Sequence, residues 1–220
     1  MSQFILKRPV GRPSLAVKRR EEILEAFVEC IRRYGLDGAT VDKVAAELGV
    51  SRALVFHYFG DRHRLVDAVL GFILDRETRR LTDALEGVPV EKRARAILEF
   101  AFEGPQFSEL RDVVVQAEII ALAGRDENVR SHLADMWERY LEVVTTVLEC
   151  AFPEAGAHAC RATGYALACL AEQHWWMVFM GPGRKRREWA RQAGEELLAS
   201  LAARSEGRRR HGRWAAKGRR

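Results

Sequence analysis

Apolar residues recur along this chain at steps of three and four and nowhere alternate over more than a few positions, so the pattern predicts helices nearly throughout and an all-α fold. In the first helix Ile23, Phe27, Cys30 and Tyr34 form the stripe, Leu24, Val28 and Ile31 widen it, and Gly35 and Gly38 stop it. Thr40 is placed to cap a short second helix, Val41–Leu48, with Val44, Ala45 and Leu48 facing inward and Gly49 ending it. Ser51 caps a third, Arg52–Phe59, after a turn of only Gly49-Val50. Asp61 opens a long fourth helix, extended to about Leu85, with Leu65, Val69, Phe72 and Ile73 on one face, and Gly87-Val88-Pro89 breaks it. Five more helices follow, over residues 90–103, 106–124, 127–152, 155–180 and 185–204, punctuated by Gly104-Pro105, Gly124, Pro153 and Gly181-Pro182-Gly183. There is no internal repeat.

Two short helices joined by a tight glycine turn have the geometry of a helix-turn-helix. The second of them turns Val50, Val55 and Phe59 inward and Ser51, Arg52, His57 and Tyr58 outward, and it is sized to enter a DNA major groove about 12 Å wide. Ala53 is small enough to let the helix backbone approach closely. Arg52, in the first helical turn, is placed either to read a guanine with two hydrogen bonds or to meet a phosphate; its position alone does not separate the two.

Charge changes the picture by its distribution. Residues 1–20 carry six basic side chains and no acid, residues 204–220 carry eight against Glu206, and these ends, at +6 and +7, leave −8 on residues 21–203 of a chain whose net charge is +5. An acidic body with two basic ends points to a polyanionic partner, nucleic acid before membrane. With 48% apolar and 30% charged residues and six prolines, the 220-residue chain is neither collagen-like nor broadly disordered. Its apolar run Tyr165–Ala171 ends at Glu172, far short of the roughly 20 residues that span a bilayer, and residues 1–13 lack the apolar stretch of a signal peptide, which predicts a cytoplasmic protein. Cys30, Cys150, Cys160 and Cys169 form no CxxC pair, so neither a metal site nor a disulfide framework is expected, and no cofactor. No phosphate loop, HExxH motif or carboxylate cluster is present, and His57, His63, His132, His158 and His174 are scattered, so an enzyme is not expected.

The run Thr40-Val-Asp-Lys-Val-Ala-Ala-Glu-Leu-Gly-Val-Ser-Arg-Ala-Leu-Val-Phe-His-Tyr-Phe-Gly-Asp-Arg-His-Arg-Leu65 resembles the DNA-binding signature of the tetracycline-repressor (TetR) family. The resemblance implies phosphate contacts from Thr40, Ser51, His57, Tyr58 and Arg62, which hold register on the duplex and carry little sequence information. Two positions depart from the family pattern: Phe56 stands where Tyr is usual and lacks its hydroxyl, leaving it to pack or to touch a thymine methyl, and Arg62 stands for Lys, keeping the charge. The segment Lys7-Arg-Pro-Val-Gly-Arg-Pro13 looks like a minor-groove arm in which Arg12 seeks a narrow A·T groove, plain phosphate attraction being the alternative.

The resemblance further implies that the last two helices make a dimer interface, here through Ala162, Tyr165, Cys169, Leu170, Gln173, Leu197, Leu198 and Leu201, and that the central helices enclose a small effector, with Phe100, Phe107, Glu118, Trp137, Tyr140, Trp175 and Trp176 as candidate walls. Ordinary intrachain core is the competing reading for each of these residues. The expected organisation is a flexible basic arm over 1–17, a DNA-binding domain over 18–64, an effector-binding and dimerisation domain over 65–204, and a disordered basic tail over 205–220. The expected function is a homodimeric repressor that binds double-stranded DNA at a palindromic operator and is released when a small-molecule effector spreads its two reading heads. The alternative is a basic architectural protein that binds DNA without sequence choice.

Overall fold

The computed structural model describes residues 15–103, 111–181 and 184–217, and within them it is all-α. Nine helices follow in order among the described residues: α1 (Leu15–Gly38), α2 (Val41–Leu48), α3 (Arg52–Phe59), α4 (Arg62–Leu85), α5 (Val90–Glu103), α6 (Arg111–Ala123), α7 (Glu127–Ala151), α8 (Ala157–Phe179) and α9 (Arg184–Lys217). The chain divides after Val69 into two compact units, and α4 runs through the division.

In the first unit the stripe of α1 is buried as its spacing predicts: Ile23, Phe27, Val28 and Ile31 are all but inaccessible, and Val44 of α2 and Val55 and Phe59 of α3 complete the core. Tyr34, counted with that stripe, instead lies about half exposed. Burying a side chain such as Phe27 or Ile31 contributes about 1.5–3 kcal/mol. The helical path breaks at Gly35 (φ 69°, ψ 170°), and Leu36–Gly38 form one further turn.

The second unit packs α5, α7, α8 and α9 around Phe102, Ile97, Leu148, Cys160 and Leu201. Trp175 of α8 donates its indole N–H to the Ala101 carbonyl of α5 at 3.0 Å, satisfying the one polar atom of a buried ring. The helix α9 approaches closely at Gly194, where a Cβ would lie 2.8 Å from Leu98 Cδ2 and 3.1 Å from Phe102 Cε2.

Two boundaries differ from expectation. The first helix begins at Leu15, inside the segment expected to be a flexible arm, and α9 does not stop near 204 but continues to Lys217. The stretch expected to be disordered lacks apolar periodicity yet is rich in Arg, which is compatible with helix. A tertiary contact that no local pattern reveals also holds it: Arg208 Nη1 donates to the Ala155 carbonyl at 3.1 Å.

Candidate nucleic-acid interface

The first unit builds its reading helix from local chemistry. Thr40 Oγ1 accepts from Lys43 N at 3.4 Å and opens α2. The turn between α2 and α3 needs a left-handed residue, and Gly49 supplies it (φ 64°, ψ 32°) at no steric cost, while its N–H and that of Val50 satisfy the last α2 carbonyls, Ala46 and Ala45. Ser51 Oγ then accepts from Leu54 N at 3.2 Å and starts α3. At the far end Gly60 N donates to the Phe56 carbonyl at 2.7 Å, and Asp61 Oδ1 accepts from Arg64 N at 2.9 Å to begin α4.

With Val55 and Phe59 buried, α3 presents Ser51, Arg52, Ala53 and His57 exposed, and Phe56 and Tyr58 half-buried at its edges. Thr40 is exposed beside them in sequence at the start of α2. Arg52 Nη1 lies 3.2 Å from both carboxylate oxygens of Asp42, and its guanidinium stands 5.2 Å from the centre of the Phe56 ring. The aromatic position that lacks a phosphate-bonding hydroxyl therefore packs against the guanidinium one helical turn before it.

Three cations acquire roles that sequence spacing did not disclose. Arg20, which the sequence places with the free basic end, donates Nη1 to the Tyr58 carbonyl at 2.9 Å and stands 4.2 Å over the Phe59 ring, bracing the C-terminal end of α3 from α1. Lys43 donates to the Gly38 carbonyl at 2.8 Å and lies 3.8 Å over the Tyr34 ring. Arg62, expected to meet phosphate, donates Nη2 to the Leu36 carbonyl at 2.7 Å and so ties the start of α4 to the end of α1. An ion-pair network joins α1 to α2, with Arg33 bonded to Glu29 at 2.8 Å and to Glu47 at 2.9 Å. Burial pulls the Glu29 carboxyl upward, but the hydrogen bond from Arg32 and the charges of Arg33 and Arg32 outweigh it and hold the group below its ordinary range.

The remaining candidates separate by burial. Arg12 and Phe107 lie outside the described residues. Ala162, Tyr165, Cys169 and Gln173 are exposed along one stripe of α8, with Tyr165 62% accessible and Leu170 half-buried beside them. Leu198 and Leu201 correct the expectation of an α9 interface edge: they are buried in the core of their own chain, because the α9 face that carries them packs on α8 and α5, and Leu197 packs half-buried against the same core. Of the expected effector walls, Phe100 and Trp175 are buried, while Glu118, Trp137, Tyr140 and Trp176 are half-buried, with Trp137 and Tyr140 in edge-to-face contact at 5.8 Å. Burial raises the thiol pKa of Cys30 and Cys160, keeping both as core atoms rather than nucleophiles. Among the described residues no group of three or more His, Cys, Asp and Glu is placed to hold a metal ion, and no helix is long and apolar enough to cross a membrane.

A capped helix, a left-handed glycine turn and a second capped helix with an exposed polar face define a helix-turn-helix unit, here followed by a larger helical unit. Residues 23–69 match the family described as bacterial regulatory proteins, tetR family. The likeness to that family is carried by those residues. Over 100 residues it is 32% identical to the HTH-type transcriptional regulator BetI of Vibrio atlanticus, a match covering 44% of this chain and 48% of that protein, so the chain spans about half the length of the curated relatives it matches. Its fold is that of a transcriptional regulator from Pseudomonas aeruginosa PAO1, with a TM-score of 0.72, 23% identity and coverage of 88% of this chain and 93% of that one. A transcriptional regulator from Saccharomonospora viridis, solved in complex with choline, is similar over 83% of this chain and 96% of its own, with a TM-score of 0.67 and 16% identity.

Proposed function

We propose that this protein is a sequence-specific transcription regulator, a repressor that binds a palindromic operator as a homodimer and is released by a small-molecule effector. The observation that carries the reading is the exposed face of α3, where Ser51, Arg52, Ala53 and His57 stand on a helix fixed by caps at both ends. Ser51, His57, Tyr58 and Thr40 are assigned to phosphates, and Arg52 to a base edge. Arg62 keeps further N–H groups for a phosphate beyond the one it gives to Leu36.

One helix of this size reads only a few base pairs, so useful selectivity needs two of them about one DNA turn apart, and a homodimer supplies them. The stripe Ala162, Tyr165, Cys169 and Gln173 on α8 supports the dimer, since it leaves a large aromatic ring and small residues facing outward at helical spacing. The half-buried Trp137, Tyr140, Trp176 and Glu118 of the second unit are the proposed effector contacts. If effector binding weakens DNA binding by some factor, DNA must weaken effector binding by the same factor.

The test is selection of bound duplexes from a random pool at about physiological salt, where non-specific binding is weak, roughly 10⁻⁴–10⁻⁶ M. An enriched inverted repeat is expected. A pool that remains random after repeated rounds would overturn sequence-specific binding.

A further inference from the structure

The end of α9 carries charge that the reading helix does not use. From Arg204 to Arg220 the chain holds eight basic residues against Glu206, while residues 21–203 total −8. Because α9 continues to Lys217, positions 204–217 form nearly four turns of helix, about 20 Å long, in place of a loose tail.

The two sides of that helix do different things. Leu198 and Leu201 face the core, and two turns beyond Leu201 Arg208 reaches back to the Ala155 carbonyl, its Nη1 so close over Gly156 that a Cβ there would lie 2.6 Å from it. This contact pins the start of the extension to the turn between α7 and α8. Arg204, Arg209 and Arg210 are exposed and make no ion pair among the described residues. Positions 213 and 217, also basic, follow 209 at steps of four, so the row advances about 6 Å per basic residue along one side of the helix.

We propose that the C-terminal extension of α9 is a second DNA-binding surface, taking the phosphate backbone of double-stranded DNA without reading its bases. The proposal rests on the reading of this chain as a DNA-binding regulator, which brings a duplex to the molecule. Charge complementarity selects the partner: a helix that concentrates cations on a row, attached to an acidic body, is matched by a regular line of phosphates. A membrane surface fits less well, since an interfacial helix needs an apolar face and residues 204–217 offer only Trp214 and four alanines or glycines among their charges. The row contains guanidinium and ammonium groups alike, as suits contacts that need charge more than a planar fork.

The experiment compares the full chain with a variant in which Arg209→Gln, Arg210→Gln, Arg213→Gln and Lys217→Gln are combined, leaving Arg208 in place. Binding to the selected operator and to an unrelated duplex is followed across salt concentrations. Removing one cation from a phosphate makes the slope of log K against log salt shallower by about 0.9, so the variant's slope is expected to be roughly 2–4 smaller per protomer, and twice that for the dimer, on both duplexes, with the ratio between them unchanged. A second variant combining Arg209→Lys, Arg210→Lys and Arg213→Lys is expected to keep the parent slope. Helix content by circular dichroism and sedimentation establish that the Gln variant remains folded and associated as the parent is. An unchanged slope would overturn the proposal while leaving operator binding intact. So would a Gln variant whose DNA binding is unaltered but whose self-association weakens, since the row would then dock on a second copy, or one that loses only binding to anionic vesicles. Failure of the parent to prefer any sequence would instead strike the functional reading, and the slope comparison on unrelated duplex would still decide the role of the row.

Discussion

The pair formed by Asp42 and Arg52 sets up a competition between carboxylate and DNA for one guanidinium. Their side chains are 66% and 59% exposed, and a pair so open to solvent is worth about 0.2–1 kcal/mol. The Phe56 ring under the guanidinium adds roughly 0.5–1 kcal/mol. A two-bond contact to guanine discriminates by about 1–3 kcal/mol, so DNA can draw Arg52 away from Asp42, and the pair restrains the side chain without locking it. Asp42→Asn removes both the restraint and a negative charge from the first turn of α2. Affinity for the operator should rise, by roughly 1.4–5-fold for 0.2–1 kcal/mol, and less on duplexes lacking the guanine that Arg52 reads, so preference at that position sharpens. Arg52→Ala should instead relax choice at a single base pair by roughly 5–150-fold, the equivalent of 1–3 kcal/mol. Asp42 also favours its helix N-terminus by about 0.3–1 kcal/mol, so melting of the Asn variant must be followed beside binding. The assay is fluorescence anisotropy at fixed salt on the operator and its single-position variants. Equal losses on all duplexes for Arg52→Ala would make Arg52 a phosphate contact and refute the reasoning. A drop in base preference for Asp42→Asn would show that the carboxylate orients Arg52 on the base rather than competing with DNA for it.

Other expected outcomes concern the scaffold. Gly194→Ala should lower the thermal midpoint, because overpacking against Leu98 and Phe102 costs about 1–3 kcal/mol and outweighs the roughly 1 kcal/mol of helix propensity gained. Gly71→Ala, on an exposed position with nothing within 4 Å of the new Cβ, should raise the midpoint through up to about 1 kcal/mol of added stability; a Gly194→Ala variant as stable as the parent would refute the close-approach argument. Arg62→Met should reduce stability by about 1–3 kcal/mol through the unpaired Leu36 carbonyl, measured as a lower urea midpoint with unchanged slope, and no change would mean water replaces the guanidinium. His174 is buried beside Phe102 and Trp175 with Nε2 unpartnered, and burial first, then the charge of Arg187, lowers its pKa below the ordinary value. The unfolded chain therefore binds a proton near pH 6.5 that the folded chain refuses, so stability falls as pH drops through about 6.5 toward the lowered folded value. His174→Leu should lack that component, and parallel pH–stability curves for the two proteins would exclude it.

What the amino-acid order determined by itself was local. Thr40, Ser51 and Asp61 accept from backbone N–H groups three residues on, and Gly49 and Gly60 close carbonyls within the preceding turn, so the ends of α2 and α3 and the exposed face of α3 were legible from neighbours alone. Tertiary structure decided whatever needed a partner distant in sequence. Arg20 and Tyr58 are 38 residues apart and Arg62 and Leu36 are 26 apart, so cations that spacing offers to phosphate turn out to brace the fold. On α8 and α9, apolar residues of the same helical spacing divided into an outward stripe and a buried one, Tyr165 and Leu201 being the extremes, because periodicity names a face but not what covers it. The extension of α9 followed the same rule: its composition permits helix or coil alike, and the carbonyl of Ala155, 53 residues before Arg208, is what holds it.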